Sequence, residues 1–345
     1  MAKVFLTGGT GFVGAHILHE LLVYGYTVVA AVRSSWKGQR LEQRYTDELG
    51  DRLSTVVVED ISKEGAFDEA VQTFPFDFVI HVASPFYLFP KNPEEDMLKP
   101  AISGTLGLLQ SVKTYAPSVN RVIVTSSFAA MENPTSHPPV YSEECWNPIT
   151  YEQALDPSLA YFGSKKLAEK AAWAFMLEEK PSFTLTTICP PLIYGPVMHH
   201  LDTLNDINTS NEFIRDVILG KFQEHIPPTP LYLWVDVRDV AHVHIQALDA
   251  AGAESERFLV VAGHCDNKAI IDVIREEFPQ LAPILPPKIL PGDLPLNVYQ
   301  YDDTKVTKIL GLRYHSLRDS IKATVATLLD KGDGLEKVVR PRCLI

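Results

Sequence analysis

A tyrosine and a lysine four positions apart, in Tyr161-Phe162-Gly163-Ser164-Lys165, carry the clearest chemical promise in this 345-residue chain. The stretch Leu159 to Glu179 reads as a helix, which makes the two side chains i, i+4 neighbours on one face. A phenol with a reference pKa of ~10 is poorly matched to proton transfer near neutrality. A nearby positive charge favours the phenolate and brings the group into working range. The spacing alone is common, and a core tyrosine beside a solvated lysine would look the same. Upstream, Val122-Ile123-Val124-Thr125-Ser126-Ser127 reads as a buried strand ending in hydroxyls. A serine there, Ser127 or, one residue out of register, Ser126, can hold a carbonyl oxygen alongside Tyr161. A Thr-Ser-Ser run can also be simple turn chemistry.

The partner for such chemistry is implied at the N-terminus by Thr7-Gly8-Gly9-Thr10-Gly11-Phe12-Val13-Gly14. Glycines at 8, 11 and 14 follow a strand and open a helix. The first permits a tight turn, the second lets backbone approach a pyrophosphate, and the third lets helix and strand pack closely. The helix start adds N–H groups and the positive end of its dipole. A dinucleotide site is therefore expected at Thr7, Gly8, Gly11, Phe12, Val13 and Gly14.

The second strand selects the dinucleotide. An NAD site usually has an acid there for the ribose 2′-hydroxyl, but this strand runs into Arg33-Ser34-Ser35-Trp36-Lys37 with no acid. Arg33 and Lys37 suit a 2′-phosphate, the first by its planar fork and the second as a point charge. NADPH/NADP+ is the expected cofactor. Asp60 and Ile61, after the third strand, suit the adenine edge; Ala83 and Ser84, after the fourth, would run beside the pyrophosphate and ribose.

The elements needed to position these groups are written in the periodicity. Strands are expected at Val4–Thr7, Thr27–Arg33, Thr55–Asp60, Phe78–Val82, Arg121–Ser126 and Phe183–Cys189. Helices are expected at Phe12–Tyr24, near Lys37–Leu49, Gly65–Thr73 and Glu94–Tyr115, and at Leu159–Glu179. Near-continuous apolar strands alternating with helices mean an α/β fold, a doubly wound parallel sheet of Rossmann type covered on both faces. After Pro190 the rhythm breaks into an irregular stretch to Pro230, and Phe278 to Pro295 carries prolines at 279, 283, 286, 287, 291 and 295. Tyr232–Val235, the helix Val237–Asp249 and Arg257–Ala262 read as returns to the main sheet. The expected division is a dinucleotide-binding domain over 1–190 with 232–262 returning to it, and a smaller mixed substrate-binding lobe over 191–231 and 263–345.

Glycine loop, serine run and Y-x-x-x-K together make the chain resemble an extended short-chain dehydrogenase/reductase. Within that group it is most similar to the yeast-type methylglyoxal/aldehyde reductases and to the dihydroflavonol and cinnamoyl-CoA reductases. The likeness continues through Val58–Ser62, His81–Phe86, Glu143–Pro148, Tyr161–Trp173, Tyr194–Pro196, Asn208–Ser210 and Val235–Ala241. It implies a triad of Ser127, Tyr161 and Lys165, with Arg33 and Lys37 on the 2′-phosphate and Pro190 at the nicotinamide wall. Tyr161, Lys165 and Ser210 are also expected on the cofactor. Cys189 stands where some relatives have asparagine or another small polar residue.

Phe86, Phe128, Tyr194 and Trp234 flank these motifs and are candidate substrate-pocket aromatics, with core packing the competing role. An apolar pocket with a few polar groups suits an aldehyde or ketone. No basic cluster marks a second diphosphate, as a sugar nucleotide would need. The expected activity is NADPH-dependent reduction of a carbonyl to an alcohol, with Tyr161 as proton donor. A specialised dihydroflavonol, CoA thioester or secondary-metabolite ketone is the alternative substrate, and a non-catalytic NADP sensor the alternative role.

Composition narrows the partners. Lys+Arg 31 against Asp+Glu 43 gives a net charge of −12, which offers no footprint for nucleic acid. Apolar residues at 46% and charged residues at 21% are the balance of a folded protein. No apolar run reaches the ~20 residues of a membrane span. The strand at Lys3 leaves no room for a signal peptide, and Cys343 stands one place too late for prenylation. Cys145, Cys189, Cys265 and Cys343 are too scattered for a zinc knuckle or a disulfide framework, and His16/His19, His199/His200 and His242/His244 lack ligand partners at metal spacing. A cytoplasmic protein, monomer or homodimer, without a metal and acting on a small molecule, is expected.

Overall fold

A computed structural model describes residues 1–49, 51–84 and 90–331. Its first strand, β1 (Lys3–Thr7), buries Val4, Phe5 and Leu6 completely. Helix α1 (Phe12–Val23) follows the glycine turn and is closed by Gly25 at φ +91°. The pattern repeats through β2 (Thr27–Val32), α2 (Ser35–Leu49), β3 (Leu53–Val57), β4 (Phe78–His81), α3 (Lys99–Tyr115) and β5 (Arg121–Thr125). A short β6 (Val140–Tyr141) precedes the long α4 (Ala160–Glu179) and β7 (Thr184–Cys189). Later come β8 (Leu192–Tyr194), α5 (Thr209–Ile218), β9 (Leu233–Asp236), α6 (Val237–Asp249), β10 (Arg257–Leu259) and β11 (Gly263–His264). The described chain ends with α7 (Asn267–Glu277), β12 (Gln300–Tyr301), α8 (Thr304–Leu310) and α9 (Leu317–Lys331).

Seven strands form one parallel sheet in the order β10-β7-β5-β4-β1-β2-β3. The order turns back on itself between β1 and β4, the switch point at which doubly wound sheets bind ligands beyond their strand ends. Apolar residues fill one of its faces: Phe5, Val79 and Val122 from strands meet Leu108, Val112 and Phe175 from α3 and α4. Phe5 packs edge-on to Phe67 and tilted against Phe76.

The chain divides into two compact units. The first holds Met1–Pro190, Ala241–Val260 and Tyr299–Leu312, and contains the large sheet with the β6–β12 pair. The second holds Pro191–Val240, Val261–Val298 and the chain from Arg313, and contains the three-stranded sheet β11-β9-β8. Its core joins Ile214, Val217 and Ile218 of α5 to Ile270, Ile274, Ile321 and Val325 of α7 and α9.

Three expectations need correction. Gly65–Thr73 is not a helix but turns ending in one 3₁₀ turn, Ala70–Gln72; Gly65 takes φ +67°, which starts a turn instead of a helix. Glu94–Tyr115 is not uniform. Pro100 has no N–H to bond back, and the preceding turn widens so that Lys99 N–H reaches the Glu94 carbonyl. The segment at Tyr232–Val235 forms β9, which pairs with β8 and β11 instead of the large sheet.

Candidate active site

The carboxyl ends of β1 and β4 are bound to each other through side chains. Thr7 Oγ1 accepts from the backbone N–H of Val82 and Ala83 at 3.2 and 3.1 Å, and lies 2.8 Å from His81 Nδ1. With both acceptor positions taken, the hydroxyl hydrogen points to Nδ1, which makes His81 a neutral imidazole carrying its proton on Nε2. Burial pushes its pKa down to about 3, and the Lys165 charge acts in the same direction.

This clasp brings the glycine loop against 82–84. Gly8 has φ +75°, and a Cβ there would meet Ala83 N at 2.8 Å; a Cβ at Gly14 would meet Gly8 O at 2.0 Å. At Gly11 the nearest atom to such a Cβ is 3.4 Å away, so that side of the loop is open to a ligand. Gly11 is the N-cap residue just before α1, and no side chain caps the helix there. Backbone donors, close approach and helix dipole together fit a pyrophosphate. At the end of β2, Arg33 is exposed and Lys37 sits half-buried over the Trp36 ring, 5.7 Å from its centroid. Asp60 accepts from the Ser62 hydroxyl and N–H, and these bonds, with Lys63 and Arg33 nearby, hold its carboxyl below the usual range. Ile61 packs under Gly104.

At the end of β5 two adjacent serines turn to different partners. Ser126 donates to Glu169 Oε2 at 2.6 Å, while Ser127 Oγ lies 3.4 Å from the Tyr161 hydroxyl and accepts from Ala129 N–H at 3.1 Å. The alternation follows from the extended backbone at Ser127, φ −159° and ψ 152°. Lys165 Nζ is 5.9 Å from the Tyr161 ring centroid. Both side chains keep some surface but lie deep among protein atoms. Burial raises the Tyr161 pKa, against which the Ser127 hydrogen bond acts, and burial lowers Lys165 to about 8, with the Glu169 charge opposing. Tyr161 is thus a protonated donor at neutral pH. Beside Lys165 is a cavity of about 20 Å³, the size of one water, reached by His81, Ser84, Thr125, Ser126 and Glu169.

The remaining expected residues have these places. Pro190 ends the first unit, its carbonyl accepting from Phe128 N–H at 2.8 Å. Phe128 is fully buried edge-on to Tyr141, packed in the core. Tyr194 and Trp234, each 3% exposed, pack with each other in the core of the second unit. Ser210 donates to Ile193 O and accepts from Asn208 Nδ2 at 2.8 Å. Phe86 lies outside the described residues. Sequence reasoning missed Glu169 and Arg257 as a buried pair; the visible sign was an acid one turn past Lys165 among alanines. It also missed His244, whose Nε2 is 2.7 Å from Thr125 Oγ1.

A parallel sheet with a dinucleotide loop at its switch point and a Ser–Tyr–Lys face on neighbouring elements defines a nucleotide-dependent α/β enzyme class. The chain belongs to the NAD dependent epimerase/dehydratase family, whose model matches residues 4–262. It is 46% identical over 332 residues to Ketoreductase azaE of Aspergillus niger, covering 96% of this chain and 98% of that protein. It is 35% identical over 349 residues to the NADPH-dependent methylglyoxal reductase GRE2 of Saccharomyces cerevisiae, covering 95% and 98%. The crystal structure of yeast methylglyoxal/isovaleraldehyde reductase Gre2 complexed with NADPH superposes with a TM-score of 0.88 at 34% identity, over 95% of this chain and 98% of that one. Among the described residues no helix is long and apolar enough to cross a membrane.

Proposed function

We infer that this chain is an NADPH-dependent carbonyl reductase that converts an aldehyde or ketone to an alcohol. The observation that carries the catalytic assignment is the approach of the Tyr161 hydroxyl to Ser127 Oγ, 3.4 Å, with Lys165 one turn along the same helix. When bound, reduced nicotinamide supplies the hydride. The two hydroxyls donate to the substrate's carbonyl oxygen, holding it where negative charge develops. As the carbonyl carbon is reduced, Tyr161 gives that oxygen its proton. The Lys165 ammonium then offsets the charge left on the phenolate.

The relatives named for NADPH dependence, and an Arg33/Lys37 pair without an acid at the end of β2, support NADPH over NADH. The pyrophosphate would lie against Gly8, Gly11 and the start of α1. The substrate is a small carbonyl compound, and a cytoplasmic setting is supported by thiols at Cys145, Cys189 and Cys265 outside any disulfide.

The test is NADPH consumption with small aldehydes, α-diketones, bulky aryl ketones and thioesters. Turnover of aldehydes or ketones above the others is expected. No consumption with any of them, or turnover with thioesters alone, overturns the reading.

A further inference from the structure

Glu169 follows Lys165 by one turn of α4 and is 2% exposed. Its Oε1 accepts from Arg257 Nε at 2.6 Å, from the Thr187 hydroxyl at 2.8 Å and from the Trp173 indole N–H at 3.3 Å. Its Oε2 accepts from the Ser126 hydroxyl at 2.6 Å and Arg257 Nη2 at 3.1 Å. Arg257 is itself enclosed: Nη1 donates to the carbonyls of Glu143 and Cys145 at 2.8 and 2.6 Å, and the guanidinium lies 3.6 Å from the centre of the Trp146 ring. One carboxylate thus joins the ends of β5, β7 and β10 to α4.

Holding these strands together does not require charge. Burying an ion pair costs desolvation that the pairing must offset, and well-packed apolar residues often serve as well or better. What the charge changes is the surroundings of Lys165. The groups that line the cavity beside Lys165 or act on its charge are Tyr161 and Glu169 on its own helix, His81 from β4, Thr125 and Ser126 around the end of β5, and Cys189 from β7, with Arg257 of β10 paired to Glu169. His81 is held neutral by burial, and burial pushes the Cys189 thiol far up, so it too is neutral. Glu169 is the negative group of the set.

We propose that Glu169, held by Arg257, is a positioning residue for carbonyl reduction: its charge keeps Lys165 cationic beside Tyr161, and its hydrogen bond to Ser126 fixes the strand end that presents Ser127. The proposal rests on the assignment of Ser127, Tyr161 and Lys165 made above.

The test is kcat/KM for the carbonyl substrate against pH at saturating NADPH, in the full-length protein. Losing a negative neighbour makes an ammonium easier to deprotonate. In Glu169→Gln the alkaline limb therefore moves to lower pH, by about one pH unit, with NADPH Kd within about twofold of wild type. In Glu169→Gln/Arg257→Met no buried charge is left unpaired, and the limb lies between the single variant and wild type. A purely structural role would lower thermal stability and rate at every pH and leave the limb in place. If the single variant does not fold, the double variant carries the test alone. A limb at the wild-type pH in a folded variant overturns the proposal. Tyr161→Phe in the same assay separates the two levels. Lost turnover there with an unmoved limb removes only the role of Glu169; normal turnover removes the catalytic assignment and this proposal with it.

Discussion

Ser126 and Ser127 are adjacent at the end of β5 and point to opposite sides: Ser126 donates to Glu169 at 2.6 Å, and Ser127 stands 3.4 Å from the Tyr161 hydroxyl. Because extended backbone alternates its side chains, only one of two neighbours can face the substrate. Ser127→Ala is expected to lower kcat at least a hundredfold, the effect of losing one oxygen-binding donor. Ser126→Ala is expected to lower kcat less and stability by about 1–2 kcal/mol, because Glu169 loses a buried donor. Steady-state kinetics and thermal melts of both variants check the ranking, and a larger kcat loss in Ser126→Ala would reverse the assignment.

We propose that Arg33, exposed at the end of β2, governs the choice of dinucleotide. One charge-assisted contact to a phosphate is worth on the order of 1.5–3 kcal/mol, which is about ten- to a hundredfold in affinity. Arg33→Ala should weaken NADPH by that factor and leave NADH nearly unchanged, so the preference collapses. Lys37→Ala should act in the same direction and less. Measuring kcat/KM with both cofactors decides it: equal losses would mean that Arg33 supports the loop and does not read the phosphate.

Gly11 and Gly14 separate binding from folding. A Cβ at Gly14 would lie 2.0 Å from Gly8 O, whereas at Gly11 the nearest atom is 3.4 Å away. Gly14→Ala is expected to destabilise the protein by about 1–3 kcal/mol through overpacking. Gly11→Ala should keep the thermal midpoint and weaken NADPH at least tenfold, since its methyl fills space the ligand needs. Calorimetric melts and NADPH titrations of the two variants would show the contrast, and equal loss of stability in both would refute it.

Glu132 makes stability depend on pH. Burial raises its carboxyl from 4.5 to about 7. The folded state therefore holds the proton more tightly than the unfolded chain, and stability falls as pH rises from about 4.5 through 7, then levels. Glu132→Gln removes this cost. It should be more stable than wild type by about 1–3 kcal/mol near pH 8 and equal to it near pH 4. Denaturant unfolding at the two pH values checks the sign; equal gains at both would show that ionisation is not the cause.

Much of the fold was legible because its signals are local. The glycine turn, the first βα units and the pairing of Tyr161 with Lys165 each lie within a few residues, and strand and helix periods mark them. The helix expected at Gly65–Thr73 failed because one left-handed glycine and a 3₁₀ turn override a short apolar pattern. Sheet membership of β9 is a matter of which strands meet, and nothing within Leu233–Asp236 records that. The Glu169–Arg257 pairing is likewise not written along the chain: Glu169 stands out as an acid among alanines, but its partner is 88 residues away. Phe128 packs against Tyr141 in the core, a placement the sequence does not reveal because an aromatic beside Ser127 has the same local context whether it faces a ligand or the core.

We propose that Tyr161 delivers the proton in carbonyl reduction. Tyr161→Phe removes one oxygen from a side chain whose ring packing stays in place, so the most direct measurement is kcat of this variant alongside its NADPH Kd. An NADPH Kd within about twofold of wild type and a kcat reduced by roughly a thousandfold are expected, in line with losing a general acid. A kcat near the wild-type value with NADPH bound normally would contradict it.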